Sequence, residues 1–139
     1  MKRIVYKKEF CIEKNKIQLV CLGDAHYGHQ QCNVKKFEKI LNWVYHTKNV
    51  YVIGMGDLVD TSIKGSPGSS VYEQTENVQS QLEKMVAYLK PVTNEGRLIG
   101  LLDGNHEYRI FKETGVNLTK IMSQMLKTEY LGWGTNIRL

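Results

Sequence analysis

The chain has 139 residues, 42% hydrophobic and 24% charged, the make-up of one globular domain long enough to bury a core. No apolar run reaches the roughly eighteen residues of a transmembrane helix, and no apolar segment follows the basic start Met1-Lys2-Arg3, which excludes a membrane span and a secretory signal. The net charge of +5 is spread along the chain and suits a polyanionic partner without requiring one.

Residues 2–13 are rich in β-formers (Ile4, Val5, Tyr6, Phe10, Ile12), and the polar Glu13-Lys14-Asn15-Lys16 reads as the turn of an N-terminal β-hairpin. Residues 17–22 are almost continuously apolar, which predicts a strand covered on both faces. A loop over 23–33 carries Asp24, His26 and His29. A helix follows over 34–47, where Val34, Phe37, Ile40, Leu41 and Val44 recur near a period of 3.6. Residues 50–55 form a second buried strand. Residues 60–72, with their glycines, serines and Pro67, read as an open loop on the substrate side. Thr75 is positioned to cap the next helix, Val78, Leu82, Met85, Val86 and Leu89 form its stripe, and Pro91 stops it. A third strand runs to Leu102, and a last helix over 116–127 carries Leu118, Ile121, Met122, Met125 and Leu126 as core. Strands alternating with helices predict an α/β fold, a mainly parallel βαβαβα sheet. The three cysteines, Cys11, Cys21 and Cys32, have neither metal-site nor redox spacing, and they read as reduced thiols in a cytoplasmic protein, with Cys21 a core residue. No glycine-rich nucleotide-binding loop of the usual kinds is present.

Three of the strand-like runs end in a glycine-led cluster: Gly23-Asp24-Ala25-His26, Gly56-Asp57-Leu58-Val59-Asp60, and Gly104-Asn105-His106-Glu107. Ligands at strand ends sit on the rim of an α/β sheet. In extended backbone, Asp24 and His26 point the same way and reach one ion. Asp-x-His and Gly-Asp are weak signals alone, whereas a Gly-Asn-His-acid string arises by chance in about one chain in a thousand of this length. Carboxylate, amide oxygen and imidazole form the donor set of hard or borderline divalent ions. A carboxylate at Asp57, between the other two clusters, would bridge two ions about 3.5–4 Å apart, the spacing that clamps attacking and leaving oxygens. His106 is placed to donate to phosphate or to the leaving oxygen. Asp60 either orients a ligand or caps the following loop. Glu107 is expected to orient a histidine or pair with Arg109, and Arg109 to clamp a phosphate or form an exposed ion pair. Tyr27 and Tyr108 flank two clusters, where packing and base stacking are the alternatives.

Gly-Asp-x-His, Gly-Asp-x-x-Asp and Gly-Asn-His-Glu, in this order, resemble the calcineurin-like metallophosphoesterase family over nearly the whole chain. The run Gly104 to Arg109 looks most like members from bacteria and their phages. The resemblance implies the N-terminal half of a β-sandwich flanked by helices. It implies two divalent ions, manganese first and iron, zinc or magnesium as alternatives, with Asp24 and His26 on the first, Asp57 bridging and Asn105 on the second. It gives His106 to the substrate phosphate. The family hydrolyses phosphomonoesters or phosphodiesters, including DNA, so the expected substrate is a phosphate ester, with DNA or RNA the preferred class. The sequence departs from the family in lacking any histidine after His106, where three more are expected, and His29 and His46 are its only other histidines. A single domain over 1–139, truncated at its C-terminus, is therefore expected. Two readings stand beside the diesterase: an inactive or split component that binds nucleic acid or needs a second copy or companion chain, and a phosphomonoesterase.

Overall fold

Three apolar stripes and three asparagine caps decide where most of the helices lie. In the computed structural model, which describes residues 16–64, 66 and 74–137, α1 (Val34–His46), α2 (Val78–Asn94) and α4 (Leu118–Leu126) are preceded by Asn33, Asn77 and Asn117. Each asparagine side chain accepts the backbone N–H three residues on, from Lys36, Ser80 and Lys120, satisfying a donor the helix leaves open. The hairpin expected over 2–13 lies outside the described residues.

Four strands, β1 (Gln18–Leu22), β2 (Val50–Gly54), β3 (Leu98–Leu102) and β4 (Glu129–Gly132), pair in parallel in the order β1-β2-β3-β4. Right-handed crossovers that always step the same way put their helices on one face, and α2 indeed contacts both α1 and α4. Phe37, Leu41 and Val44 of α1, Leu82, Met85 and Leu89 of α2, and Met122 and Leu126 of α4 close over Val50, Val52, Leu98 and Leu101 in one core.

Several expectations change. The first strand is not covered on both faces: β1 is the edge of the described sheet, only Leu22 is buried, and Cys21 is exposed rather than core. Thr75 does not cap α2; its hydroxyl donates to the Gly28 carbonyl instead. Pro91 does not stop α2, which runs on to Asn94, because Leu89 and Val92 on either side are fully buried and outweigh one lost hydrogen bond. Met125 is largely exposed, unlike Met122. A further helix, α3 (Asn105–Thr114), starts inside the third glycine-led cluster and ends at Gly115 with φ 74°.

Arg97, just before β3, is buried and closes the far edge of the sheet. Its guanidinium donates to the carbonyls of Val44 at 2.7 Å, Thr47 at 3.2 Å, Tyr45 at 3.2 Å and Val50 at 3.1 Å, neutralising the C-terminal end of α1. Arg97→Ala removes this donor from all four carbonyls. It is expected to lower the unfolding free energy by about 2–3 kcal/mol, read as a shift of the urea midpoint.

Candidate metal centre

The loops leaving β1, β2 and β3 meet at the C-terminal edge of the sheet, where parallel folds hold their ligands. Asp24, His26 and Asp57 all adopt left-handed backbone, with φ of 52°, 47° and 49°. Asp24 and His26 are thus not extended, as their i, i+2 spacing predicts. Aspartate and histidine tolerate this conformation better than most side chains. Their ligand atoms nevertheless converge: one atom each from Asp24, His26 and Asp57 lies within 4.8 Å of the others. His26, Asp60 and His106 form a second such group.

The loops come this close because their glycines leave room. A Cβ on Gly104 would collide with the backbone nitrogen and carboxylate of Asp57. Gly56 has φ +85° and lies against Asp103 and Gly104. Across this contact the His106 N–H donates to the Asp57 carboxylate at 2.8 Å, so Asp57 holds the first turn of α3.

Glu107 neither orients a histidine nor pairs with Arg109. It is 2% exposed, and its carboxylate accepts three backbone N–H groups: Asp57 at 3.0 Å, Leu58 at 2.8 Å and Val59 at 3.2 Å. Burial pushes its carboxyl above the usual range, against the pull of these donors. Asp60 is 1% exposed, so the loop expected to be open begins buried. Its carboxylate accepts from Ser62 and lies 3.3 Å from His106 Nδ1 and 3.9 Å from His26 Nδ1.

Arg109 donates to His106 Nε2 at 3.1 Å. A guanidinium can only donate, so Nε2 accepts, and Nδ1 carries the proton it gives to the Asp60 carbonyl at 2.7 Å. The other terminal nitrogen of Arg109, Nη1, is buried without an acceptor among the described residues. Burial holds the His26 imidazole below its ordinary value, and the neighbouring His106 ring pushes the same way, while Asp57, Asp60 and Asp24 pull it upward. The result favours the neutral ring, the form that ligates metal.

A cleft of about 430 Å³ is lined by Asp24, His26, His29, Asp60, His106 and Arg109, with Cys32 beside them. His29 thus faces the cleft, although its Nδ1 accepts the Gln31 N–H at 3.1 Å. Asn105 is exposed at the first position of α3, next to these groups in sequence. His46 is exposed on α1, away from the cleft. Tyr27 is buried and donates to Glu76, which makes it packing.

Two residues escaped the sequence reading. Thr61, a β-branched residue at φ 47°, is held in that strained state by its hydroxyl donating to the His106 carbonyl at 2.7 Å and its N–H donating to Gln81 Oε1 at 3.0 Å. Gln81 is fully buried. Its sign in the sequence was a polar residue on the apolar side of α2, between Val78 and Met85.

The donor set fits a divalent cation. Asp24 Oδ1 and His26 Nε2 are 3.8 Å apart, too far for a hydrogen bond and within the span of two ligands each about 2.1 Å from one ion. The family model for calcineurin-like phosphoesterases matches residues 17–136. The chain belongs to the calcineurin-like phosphoesterase family. No curated protein and no solved structure matches it significantly. Calcineurin-like phosphoesterases bind divalent metals and hydrolyse phosphate esters. In this phosphoesterase the strand-end clusters supply the His and Asp groups that could hold such metals. The four-stranded parallel sheet flanked by helices is consistent with the family's fold. No helix among the described residues is long and apolar enough to cross a membrane.

Proposed function

We propose that this phosphoesterase cleaves phosphodiester bonds, nucleic acid being the preferred class, with two divalent ions held by Asp24, His26, Asp57 and Asn105. The observation that carries the reading is the convergence of the Asp24, His26 and Asp57 ligand atoms within 4.8 Å, beside a cleft that also holds His106 and Arg109. Bound there, divalent ions would supply Lewis-acid stabilisation of negative charge on the phosphoryl oxygens and a nucleophile at neutral pH. The chain's own residues do the rest. Arg109 lines the cleft, and its guanidinium, with Nη1 lacking an acceptor among the described residues, is the group that would bind a phosphate oxygen. His106, its Nδ1 tied to the Asp60 carbonyl, accepts from Arg109 through Nε2 and so positions the guanidinium that meets the phosphate. The diester preference is supported by the open rim, where the Asp24 side chain is 86% exposed, and by the net charge of +5. A diester needs room on both sides of its phosphorus.

The test is hydrolysis of bis(p-nitrophenyl) phosphate with manganese, beside EDTA and beside p-nitrophenyl phosphate. Manganese-dependent turnover favouring the diester is expected. A clear preference for the monoester would make the protein a phosphomonoesterase, and silence toward both esters would sink the catalytic reading for this chain.

A further inference from the structure

The face of α3 that leads away from the cleft carries an aromatic patch that core packing does not use. Tyr108 stacks on Phe111, ring centroids 5.7 Å apart at 23°, and Trp133 meets Tyr108 edge-on at 5.0 Å. Phe111 is 41% exposed and Trp133 62%. Lys112 Nζ lies 5.4 Å from the Tyr108 ring centroid. Phe111 and Trp133 are exposed and Tyr108 is half-buried against them, a gathering of rings that folding does not account for.

The patch adjoins the site along the chain. Tyr108 is one helical turn from Asn105, about 4.5 Å along the axis, and is adjacent to Arg109 in sequence. Trp133 follows Gly132, whose carbonyl accepts the Asp103 N–H at 2.7 Å, so it leaves the same sheet edge that carries Gly104 and Asn105. Flat apolar rings, a cation over one of them and a phosphate-binding cleft alongside match the alternating chemistry of a single nucleic-acid strand.

We infer that Tyr108, Phe111 and Trp133 form a platform on which a base next to the scissile phosphate stacks, so that the substrate is single-stranded DNA or RNA. This rests on the phosphodiesterase reading. Charge favours a nucleic acid over a protein as the occupant: Lys112 lies over one of the rings, Arg109 lines the cleft, and the chain as a whole is cationic.

The experiment is equilibrium binding, by fluorescence anisotropy in EDTA, of a labelled oligothymidylate and of an abasic strand with the same number of phosphates. The wild type should bind the base-bearing strand about tenfold tighter. Trp133→Ala should erase that difference, Trp133→Phe should restore most of it, and Trp43→Ala, an exposed tryptophan on α1, should leave it intact. Thermal unfolding checks that each variant is folded. Equal wild-type affinity for the two strands would overturn the platform, as would a base preference that survives in Trp133→Ala. Self-association that Trp133→Ala abolishes, without base-dependent binding, would place a second copy there and also overturn it. Diester hydrolysis without base preference removes the platform alone; base preference without hydrolysis removes the catalytic reading alone.

Discussion

Asp57→Asn is expected to reduce manganese-dependent diester turnover by about 10²–10³-fold while leaving the fold intact. The substitution separates two roles of one side chain. Asparagine keeps an oxygen that can accept the His106 N–H, so the first turn of α3 stays tied to the loop after β2. It removes the negative charge at the centre of the Asp24, His26 and Asp57 group, and with it a ligand that two cations would share. Losing several kcal/mol of transition-state stabilisation gives the stated range. Thermal stability of the metal-free protein should hold or rise slightly, because Asp24 and Asp60 no longer face a third carboxylate. Manganese affinity, measured by calorimetry, should fall together with turnover. Wild-type turnover in Asp57→Asn would mean that the chemistry does not run through this cluster.

Glu107→Ala should produce the largest loss of stability, about 3–5 kcal/mol, or roughly 10–20 °C in thermal midpoint. Three backbone N–H groups end on this carboxylate, and those of Leu58 and Val59 lie in the interior. Alanine leaves all three unpaired around a small cavity, and each unpaired donor costs about 1–3 kcal/mol unless water enters. The graded variant is Glu107→Gln. Leu58 and Val59 both donate to Oε1, which glutamine retains. Its NH₂ would stand where Oε2 accepts from Asp57, setting donor against donor, so one bond is lost. Stability and turnover should therefore both rank wild type above Glu107→Gln above Glu107→Ala, since the same bonds set the left-handed turn that aims Asp57. A midpoint for Glu107→Ala within a degree or two of wild type would show that these hydrogen bonds carry little of the loop's stability.

The sequence by itself determined the strand–helix alternation, the buried faces of α1, α2 and α4, and the three glycine-led clusters at strand ends. All are local: apolar periodicity says which side of an element is buried, and glycine marks where backbone must turn or approach closely. Only the tertiary structure decided how the polar groups pair. Glu107 meets Asp57, Leu58 and Val59 across 48 to 50 residues of chain. Asp60 holds His106 across 46, which with Arg109 settles where the His106 proton lies. Thr61 is strained because Gln81 and His106, from two different helices, close on it. Pro91 stays in α2 because Leu89 and Val92 are buried around it. The extended geometry read into Asp24 and His26 failed for the same reason. Backbone conformation at the rim is set by hydrogen bonds to the Asp57 loop, such as His26 N–H to the Asp57 carbonyl at 3.0 Å, and no local pattern encodes a partner that distant.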